Sequence, residues 1–436
     1  MRTSIVTTAA ALGLMLSSAC GGSSGGEDDF PELTPFPASM EERLHEIRDK
    51  VAEIRGLPIN EDAVEGLITA EDLEAYGLEQ FAALEDSEEE IEAAEAVWKL
   101  LGLIPADYTL EDFISDSSGA VAGIYYFEAD RLVLVGEATD ELSMSDELTL
   151  AHEYAHSLQD REVGLDTFIE DWSESKAAEE GYSSYEETLR CLIEGDAELV
   201  QRLYAEEVFG PDWREQLQAE SADDDPVDIV LPEFWLRALA FNYVECPRFV
   251  EALYEEGGWD AVNAAYDDPP ATTEQVLHPD KYLAGELASG PKTDSLADEL
   301  EGWSQLSEGQ FGEYDIFNYF YTRTGDPLSA VLAADGWGSG WTITYGDDSD
   351  ASRVVVDITL RFDTRADWIE FTFTFPAVLE SYGVKPEESS EDLVFRWTAL
   401  EEYGQHGALI QEEDRAKVRI IFATDEEALE MFLPAD

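Results

Sequence analysis

His152-Glu153-Tyr154-Ala155-His156-Ser157-Leu158-Gln159-Asp160 sets two histidines four residues apart, with a glutamate beside the first. On a helix such residues sit one above the other, so both imidazoles face one point and Glu153 lies next to it. This is the H-E-x-x-H arrangement, in which the histidines bind zinc and the glutamate acts as general base. The flanks predict the helix that this geometry needs. Ser143 and Asp146 stand at capping-box spacing, and Leu148, Ala151, Ala155 and Leu158 recur at three and four residues to give one apolar face. The plainer alternative is a pair of histidines decorating a helix, and Glu153 weighs against it.

Catalytic zinc takes three protein ligands and leaves a position for water, so a third ligand must come from elsewhere in the chain. Ser184 to Val200 predicts a second helix, with Ser184 and Glu187 at capping-box spacing, Leu189, Ile193, Ala197 and Val200 as its core face, and Gly210 near its far end. Glu194 falls between Ile193 and Gly195, in a run apolar enough to be buried. An unpaired carboxylate is costly there, and coordination to a metal removes the cost.

With His152-Glu153-x-x-His156-x-x-x-Asp160 followed by a helix carrying Glu194 and Glu198, the chain resembles the gluzincins, of which the thermolysin-like peptidases are the best known. The resemblance implies an α+β fold with a mainly helical zincin-like core and a small hairpin or sheet on its N-terminal side. It also implies zinc held by His152, His156 and Glu194, with Glu153 as the base. Acids four residues beyond the second histidine and beyond the ligand glutamate, Asp160 and Glu198, are expected to steady the histidines, and Asp196 is a further candidate. The 38 residues from His156 to Glu194 exceed the spacing in thermolysin, so an insertion is expected from Asp166 to Ser183.

A second block, Phe249–Tyr254, Gly257-Gly258-Trp259 and Pro269–Tyr282, resembles bacterial secreted and lipid-anchored proteins with the same zinc core. Thermolysin-like enzymes stabilise the oxyanion with a histidine from the C-terminal half, and the resemblance offers His278, with Tyr282, for that task. A structural cap at His278-Pro279 is the equal alternative. Upstream, Ala120–Phe127 and Arg131–Gly136 predict two strands joined by the turn Glu128-Ala129-Asp130. The resemblance implies that a strand here binds an extended peptide by adding it to the sheet edge, while a plain core hairpin is the simpler reading. His45 and His406 have no such context and are read as surface residues.

Met1-Arg2-Thr3, the mostly apolar Ile5–Ala19, and Cys20 before the Gly/Ser-rich, acidic Gly21–Asp29 resemble a bacterial lipoprotein signal. The apolar run is too short to span a bilayer. Leu16 stands one position earlier than such signals prefer, and Ser17 occupies the preferred place. The expected layout is a signal peptide over 1–19 and a polar tether over 20–39, lipidated at Cys20. That tether would hold the chain to the outer side of a bacterial cell membrane. Cys191 and Cys246 then remain, either as a disulfide or as two buried thiols.

Helical segments are expected from about Met40 to Leu103 and again to about Asp335. They make a zincin-like domain over 40–335 with its core at 111–210. An α+β region follows over 336–436. Its strands are Trp341–Tyr345, Val354–Phe362 and Val418–Phe422, and its helices run from Asp363 to about Leu379 and over Thr424–Phe432.

The charge is extreme: 25 Lys and Arg against 99 Asp and Glu give −74, while 44% hydrophobic residues suffice for a sizeable core. A field of that sign repels phosphates, which excludes nucleic acid as a partner. A peptide or protein substrate fits the zinc motif. The expected function is zinc-dependent hydrolysis of peptide bonds at the cell surface. The alternative is a non-catalytic surface binding or scaffold protein that retains a structural zinc core, and an intact Glu153 favours hydrolysis. Dispersed carboxylates, with only seven lysines among the 25 basic residues, resemble proteins from saline environments. Calcium binding is the competing use of so many acids, although no D-x-[DN]-x-[DN]-G loop is present.

Self-repulsion at this charge predicts a melting temperature that climbs with NaCl, because the screening length falls from about 8 Å at 0.15 M to about 3 Å at 1 M. Thermal melts across NaCl, with trace calcium and after calcium-selective chelation, check this. A flat salt response with a large calcium response overturns it.

Overall fold

A computed structural model describes residues 30–83, 88–118, 121–139, 141–165, 167–169, 172, 185–223, 231–288, 292–384, 394–399 and 404–434. The expected signal segment, Cys20, Ser184 and most of the expected insertion lie outside the described residues. The fold is α+β, with a three-stranded and a six-stranded sheet. Among the described residues no helix is long and apolar enough to cross a membrane.

The first body opens with α1 (Glu41–Arg55), β1 (Val64–Ile68), α2 (Ala70–Ala83), α3 (Glu88–Leu100) and α4 (Leu110–Ser118). The hairpin β2 (Gly123–Tyr126) and β3 (Arg131–Val135) follows, then the long helices α5 (Met144–Val163) and α6 (Tyr185–Val208) and the short α7 (Trp213–Glu220). A continuous helical run comes next: α8 (Glu233–Ala240), a π-helical turn (Phe241–Glu245) and α9 (Cys246–Gly257). The body ends with α10 (Trp259–Asp267), α11 (Thr273–Leu277) and α12 (Pro279–Leu283).

The small sheet has the order β1-β3-β2, with β1 parallel and β2 antiparallel to β3. β2 is therefore an edge strand. The hairpin turn places Asp130 at φ 50°, a conformation that Asp tolerates better than most residues. Its Oδ1 accepts a hydrogen bond from Asn60 Nδ2 at 2.8 Å and lies 2.9 Å from the Tyr125 hydroxyl. β1 lies inside the stretch expected to be helical. Its pairing is with a strand more than sixty residues away, so nothing local announces it.

The second body holds β4 (Trp303–Gln310), α13 (Glu313–Thr324), α14 (Pro327–Ala334), β5 (Trp337–Asp347), β6 (Asp350–Phe362), α15 (Arg365–Ser381), β7 (Val394–Ala399), β8 (Gln405–Glu412), β9 (Lys417–Ala423) and α16 (Glu426–Phe432). Its sheet is antiparallel throughout, in the order β4-β5-β6-β9-β8-β7. Both faces are covered, which is why Val354-Val355-Val356 reads as an unbroken apolar run: Val354 and Val356 enter the core under α13, α14 and α15, while Val355 faces the core closed by α16. The sheet starts at Trp303, earlier than the expected boundary at 336, because β4 is polar enough to escape notice. α15 forms although Trp368–Phe375 is rich in β-formers, since Thr364 and Asp367 make a full capping box.

α3 belongs to the first body by sequence but packs on the second sheet. The last carbonyls of this segment find partners there: Gln405 Nε2 donates to Leu100 O at 2.6 Å, the Tyr382 hydroxyl to Leu101 O at 2.7 Å, and Arg323 Nη1 to Gly102 O at 2.7 Å.

In the first body, a buried ion pair ties α1 to α6. Arg55, 2% exposed, donates from Nε and Nη2 to Asp196, which is fully buried, and from Nη2 to Asn263 of α10, and its guanidinium lies 4.4 Å from the Trp259 ring centroid. Asp196→Ala leaves that guanidinium buried without its counter-charge, so equilibrium denaturant unfolding should show a loss of about 3–5 kcal/mol. Removing the exposed Arg415 partner of Glu412 should cost under about 1 kcal/mol in the same assay.

Candidate metal centre

α5 starts at the predicted cap: Asp146 N donates to Ser143 Oγ at 3.0 Å, and Ser143 N donates to Asp146 Oδ2 at 2.9 Å. From Leu150 to Gln159 every residue of the helix is buried, so His152, Glu153 and His156 are held in the interior of the first core. β2 crosses this helix closely. A Cβ on Gly123 would lie 2.5 Å from Thr149 Cγ2 and 3.1 Å from Glu153 Cγ, so a residue without a side chain is what lets the edge strand reach the glutamate. The backbone N–H of Tyr125 then hydrogen-bonds the Glu153 carboxylate.

α6 brings Glu194 to the same point. His152 Nε2 and His156 Nε2 are 3.0 Å apart, Glu194 Oε2 is 3.3 Å from the first, and Glu194 Oε1 is 3.7 Å from the second. All three residues are buried. Both Glu194 oxygens and His152 Nδ1 are buried without a hydrogen-bond partner. Burial opposes charge on Glu194, yet His156 and His152 outweigh it and hold the carboxyl well below the usual range. Burial likewise opposes charge on His152, but the carboxylates of Glu194, Glu153 and Glu198 lift it to about 9. Glu153 is pushed up by burial, against the pull of the two histidines.

Two expected supports of the histidines are placed differently. His156 Nδ1 meets Gln159 Oε1 at 2.9 Å, one residue before the expected Asp160, and Gln159 Nε2 in turn donates to Ile193 O at 3.0 Å. Gln159 thereby fixes the imidazole to the backbone next to Glu194. Asp160 accepts instead from the Tyr125 hydroxyl and from Leu165 N, both at 2.9 Å, which secures β2 to the end of α5. Asp196 is taken by Arg55 and by the Tyr266 hydroxyl at 2.9 Å, on the side of α6 facing α1 and α10. Glu198 lies on the His152 side, its Oε1 3.6 Å from His152 Nδ1, which is longer than a hydrogen bond.

His278 and Tyr282 have other engagements. His278, whose side chain is 41% exposed, pairs through Nε2 with Glu313 Oε1 at 3.0 Å, and the Tyr282 hydroxyl donates to Asp268 O at 2.7 Å. The aromatic hydroxyl residue packed beside the histidines is Tyr243, its ring centroid 6.4 Å from that of His152. It sits on the π-helical turn, where Cys246 N–H bonds to Phe241 O, five residues back. Pro247 explains the widening: it has no N–H to give to the Tyr243 carbonyl, so the α-helical ladder cannot run through this point. Sequence reading missed Tyr243 because such a turn has no periodic signature, and Pro247 behind an aromatic run was the available hint.

Two contacts hold this run against α6 beside Glu194. Cys191 and Cys246 form a disulfide, with Cα atoms 4.9 Å apart. A Cβ on Gly195 would come within 2.5 Å of Cys246 O and 2.6 Å of Val250 Cγ2, so glycine is what permits the close approach. Mass mapping of non-reduced peptides should recover Cys191 linked to Cys246. The Cys191→Ser/Cys246→Ser variant should lose about 2–4 kcal/mol in denaturant melts. Free thiols in non-reduced protein, or a variant as stable as the wild type, would contradict the linkage.

A family model described as a domain of unknown function (DUF8575) matches residues 301–432, which span the six-stranded sheet and leave the His152, His156 and Glu194 group outside. No curated protein and no solved structure matches the chain.

Proposed function

We propose that the chain is a zinc-dependent peptidase of gluzincin type, working outside the cytoplasm on a lipid anchor at Cys20. The observation that carries the reading is the convergence of His152, His156 and Glu194 on one buried point, with Glu153 beside it. The donor set fits zinc. Two imidazole nitrogens and a carboxylate are its usual catalytic ligands, and separations of 3.0, 3.3 and 3.7 Å bracket the ~3.3 Å edge of a tetrahedron with bonds of about 2.0–2.1 Å. The Glu194 oxygens are buried without a hydrogen-bond partner, and coordination to a metal would satisfy them.

Bound there, zinc would supply a Lewis acid and an acidified water. Glu153, held at the helix face by Tyr125 N–H and raised in pKa by burial, is suited to take the proton of the attacking water and return it to the leaving amine. Gln159 keeps the His156 imidazole oriented, and Glu198 stands 3.6 Å from His152 Nδ1 as its nearby acid. Tyr243, packed beside His152 where His278 and Tyr282 are engaged elsewhere, would be the candidate to donate to the carbonyl oxygen as charge develops on it. β2 is the last strand of its sheet among the described residues, and we propose that an extended peptide running past Glu153 would add to it. A structural zinc core without turnover would have no use for a buried glutamate touching neither metal-ligand role nor salt bridge, so hydrolysis is the better reading.

Metal analysis and peptide digestion test this together. Glu153→Gln should keep one zinc per chain and lose about 10²–10⁴-fold in turnover, whereas Glu194→Ala should lose metal as well. Stoichiometric zinc and wild-type activity in Glu194→Ala would end the assignment.

A further inference from the structure

Resting on the peptidase reading, we infer that Cys191 and Cys246 are positioning residues for the proposed zinc ligands: their disulfide sets the aim of Glu194, so the site is complete only in the oxidised chain. Cys191 stands three residues before Glu194 on α6, and Gly195 stands four after Cys191. On a helix that puts Cys191 and Gly195 on one face, with Glu194 beside it. Both points of this face are pressed against Cys246. The sulfur of Cys191 is bonded to that of Cys246, and a Cβ on Gly195 would lie 2.5 Å from Cys246 O.

Glu194 needs such a hold from its backbone because its side chain supplies none. The carboxylate is fully buried and neither oxygen has a hydrogen-bond partner, so no hydrogen bond corrects its aim if α6 turns or slides. Arg55 and Tyr266 grip Asp196 on the C-terminal side of Glu194, and the disulfide grips α6 on the N-terminal side. A zinc ligand tolerates an error of only about 0.2 Å in its bond length, so losing one of the two holds is felt at the metal. The same bond reaches the opposite wall. Cys246 closes the π-helical turn by donating its N–H to Phe241 O, and Tyr243, three residues earlier, packs beside His152. Pro247 interrupts the helical ladder just behind that turn, and the covalent bond fastens it there.

Oxidation is therefore the step that completes the site. The two thiols give up two protons and two electrons to a protein or small-molecule disulfide, which leaves as two thiols. Both cysteines are fully buried in the folded chain, so the bond must close before packing is finished, and reductants do not reach it afterwards. A reducing cytoplasm keeps such thiols apart and an oxidising compartment joins them. The chain would become a working peptidase only after export.

The test measures zinc affinity, by competition with a chromogenic chelator, for the oxidised full chain, the same chain refolded and kept with a phosphine reductant, and Cys191→Ser/Cys246→Ser. Each is read well below its melting temperature, where lower stability alone leaves the folded fraction unchanged. Leu429→Ala, in the core closed by α16, serves as a variant destabilised far from the site. The reduced chain and the serine variant should bind zinc about 10–100-fold more weakly than the oxidised chain, and reoxidation should restore the affinity of the reduced chain. Leu429→Ala should match the oxidised wild type. Should the serine variant fail to fold, Cys191→Ala/Cys246→Ala takes its place. Equal zinc affinity with and without the bond, or an equal loss in Leu429→Ala, overturns the inference and leaves the peptidase reading standing. An oxidised chain that takes up no zinc rejects both.

Discussion

A buried carboxylate between two buried imidazoles is the constraint on which the first body depends. Glu194 has no exposed surface and no hydrogen-bond donor, and it lies on a different helix from the histidines that neutralise it. Leaving such a group uncompensated costs several kcal/mol, so α5 and α6 cannot be brought together cheaply unless positive charge sits between them. The surroundings are arranged to hold that geometry. Gln159 spans from His156 to the backbone at Ile193, the disulfide and Gly195 press α9 onto α6, and Arg55 grips Asp196 from the opposite side. Each of these contacts fixes α6 in rotation or in depth, and Glu194 inherits its aim from them.

The same helix serves two charges of one sign with two different solutions. Glu194 and Asp196 are two residues apart, both fully buried, and point to different sides of α6. One faces two imidazoles, the other a guanidinium and the Tyr266 hydroxyl, which both donate to it, while the guanidinium also donates to Asn263. Arginine keeps its charge under any burial, so Asp196 is neutralised permanently and is available for structure. The histidines adjust their charge to what lies between them, which suits a site that exchanges protons.

What could be read from the sequence was local. The α5 cap, the apolar face with His152 and His156 on it, the β2–β3 hairpin and the Glu194 helix each rest on residues within one element, and periodicity or turn chemistry reports them. What could not be read depends on distant partners. β1 is a strand because Thr34 and β3 flank it. β4 hides in polar residues because its pairing with β5 supplies the order. Asp160 and Gln159 are neighbours on one helix, and only the placement of Tyr125 and Ile193 decides which of them meets His156. Tyr243 lies at the histidines because a proline four residues on interrupts the ladder. Local rules have no term for any of these.

The boundary between the two bodies shows the same dependence at a larger scale. The family match begins at residue 301, close to β4, and covers the six-stranded sheet, yet that sheet is not closed by its own segment alone. Ala93, Ala94, Val97, Trp98, Leu100 and Leu101 of α3 and the turn after it fill part of its core, and three carbonyls at the end of that segment take their hydrogen bonds from Gln405, Tyr382 and Arg323. A cut at residue 301 would expose that apolar face and strand buried donors, each at a cost of about 1–3 kcal/mol. In the intact chain α3 is therefore a strap that crosses from the body holding His152, His156 and Glu194 to the sheet, and the two fold as neighbours that share a core element rather than as beads on a linker.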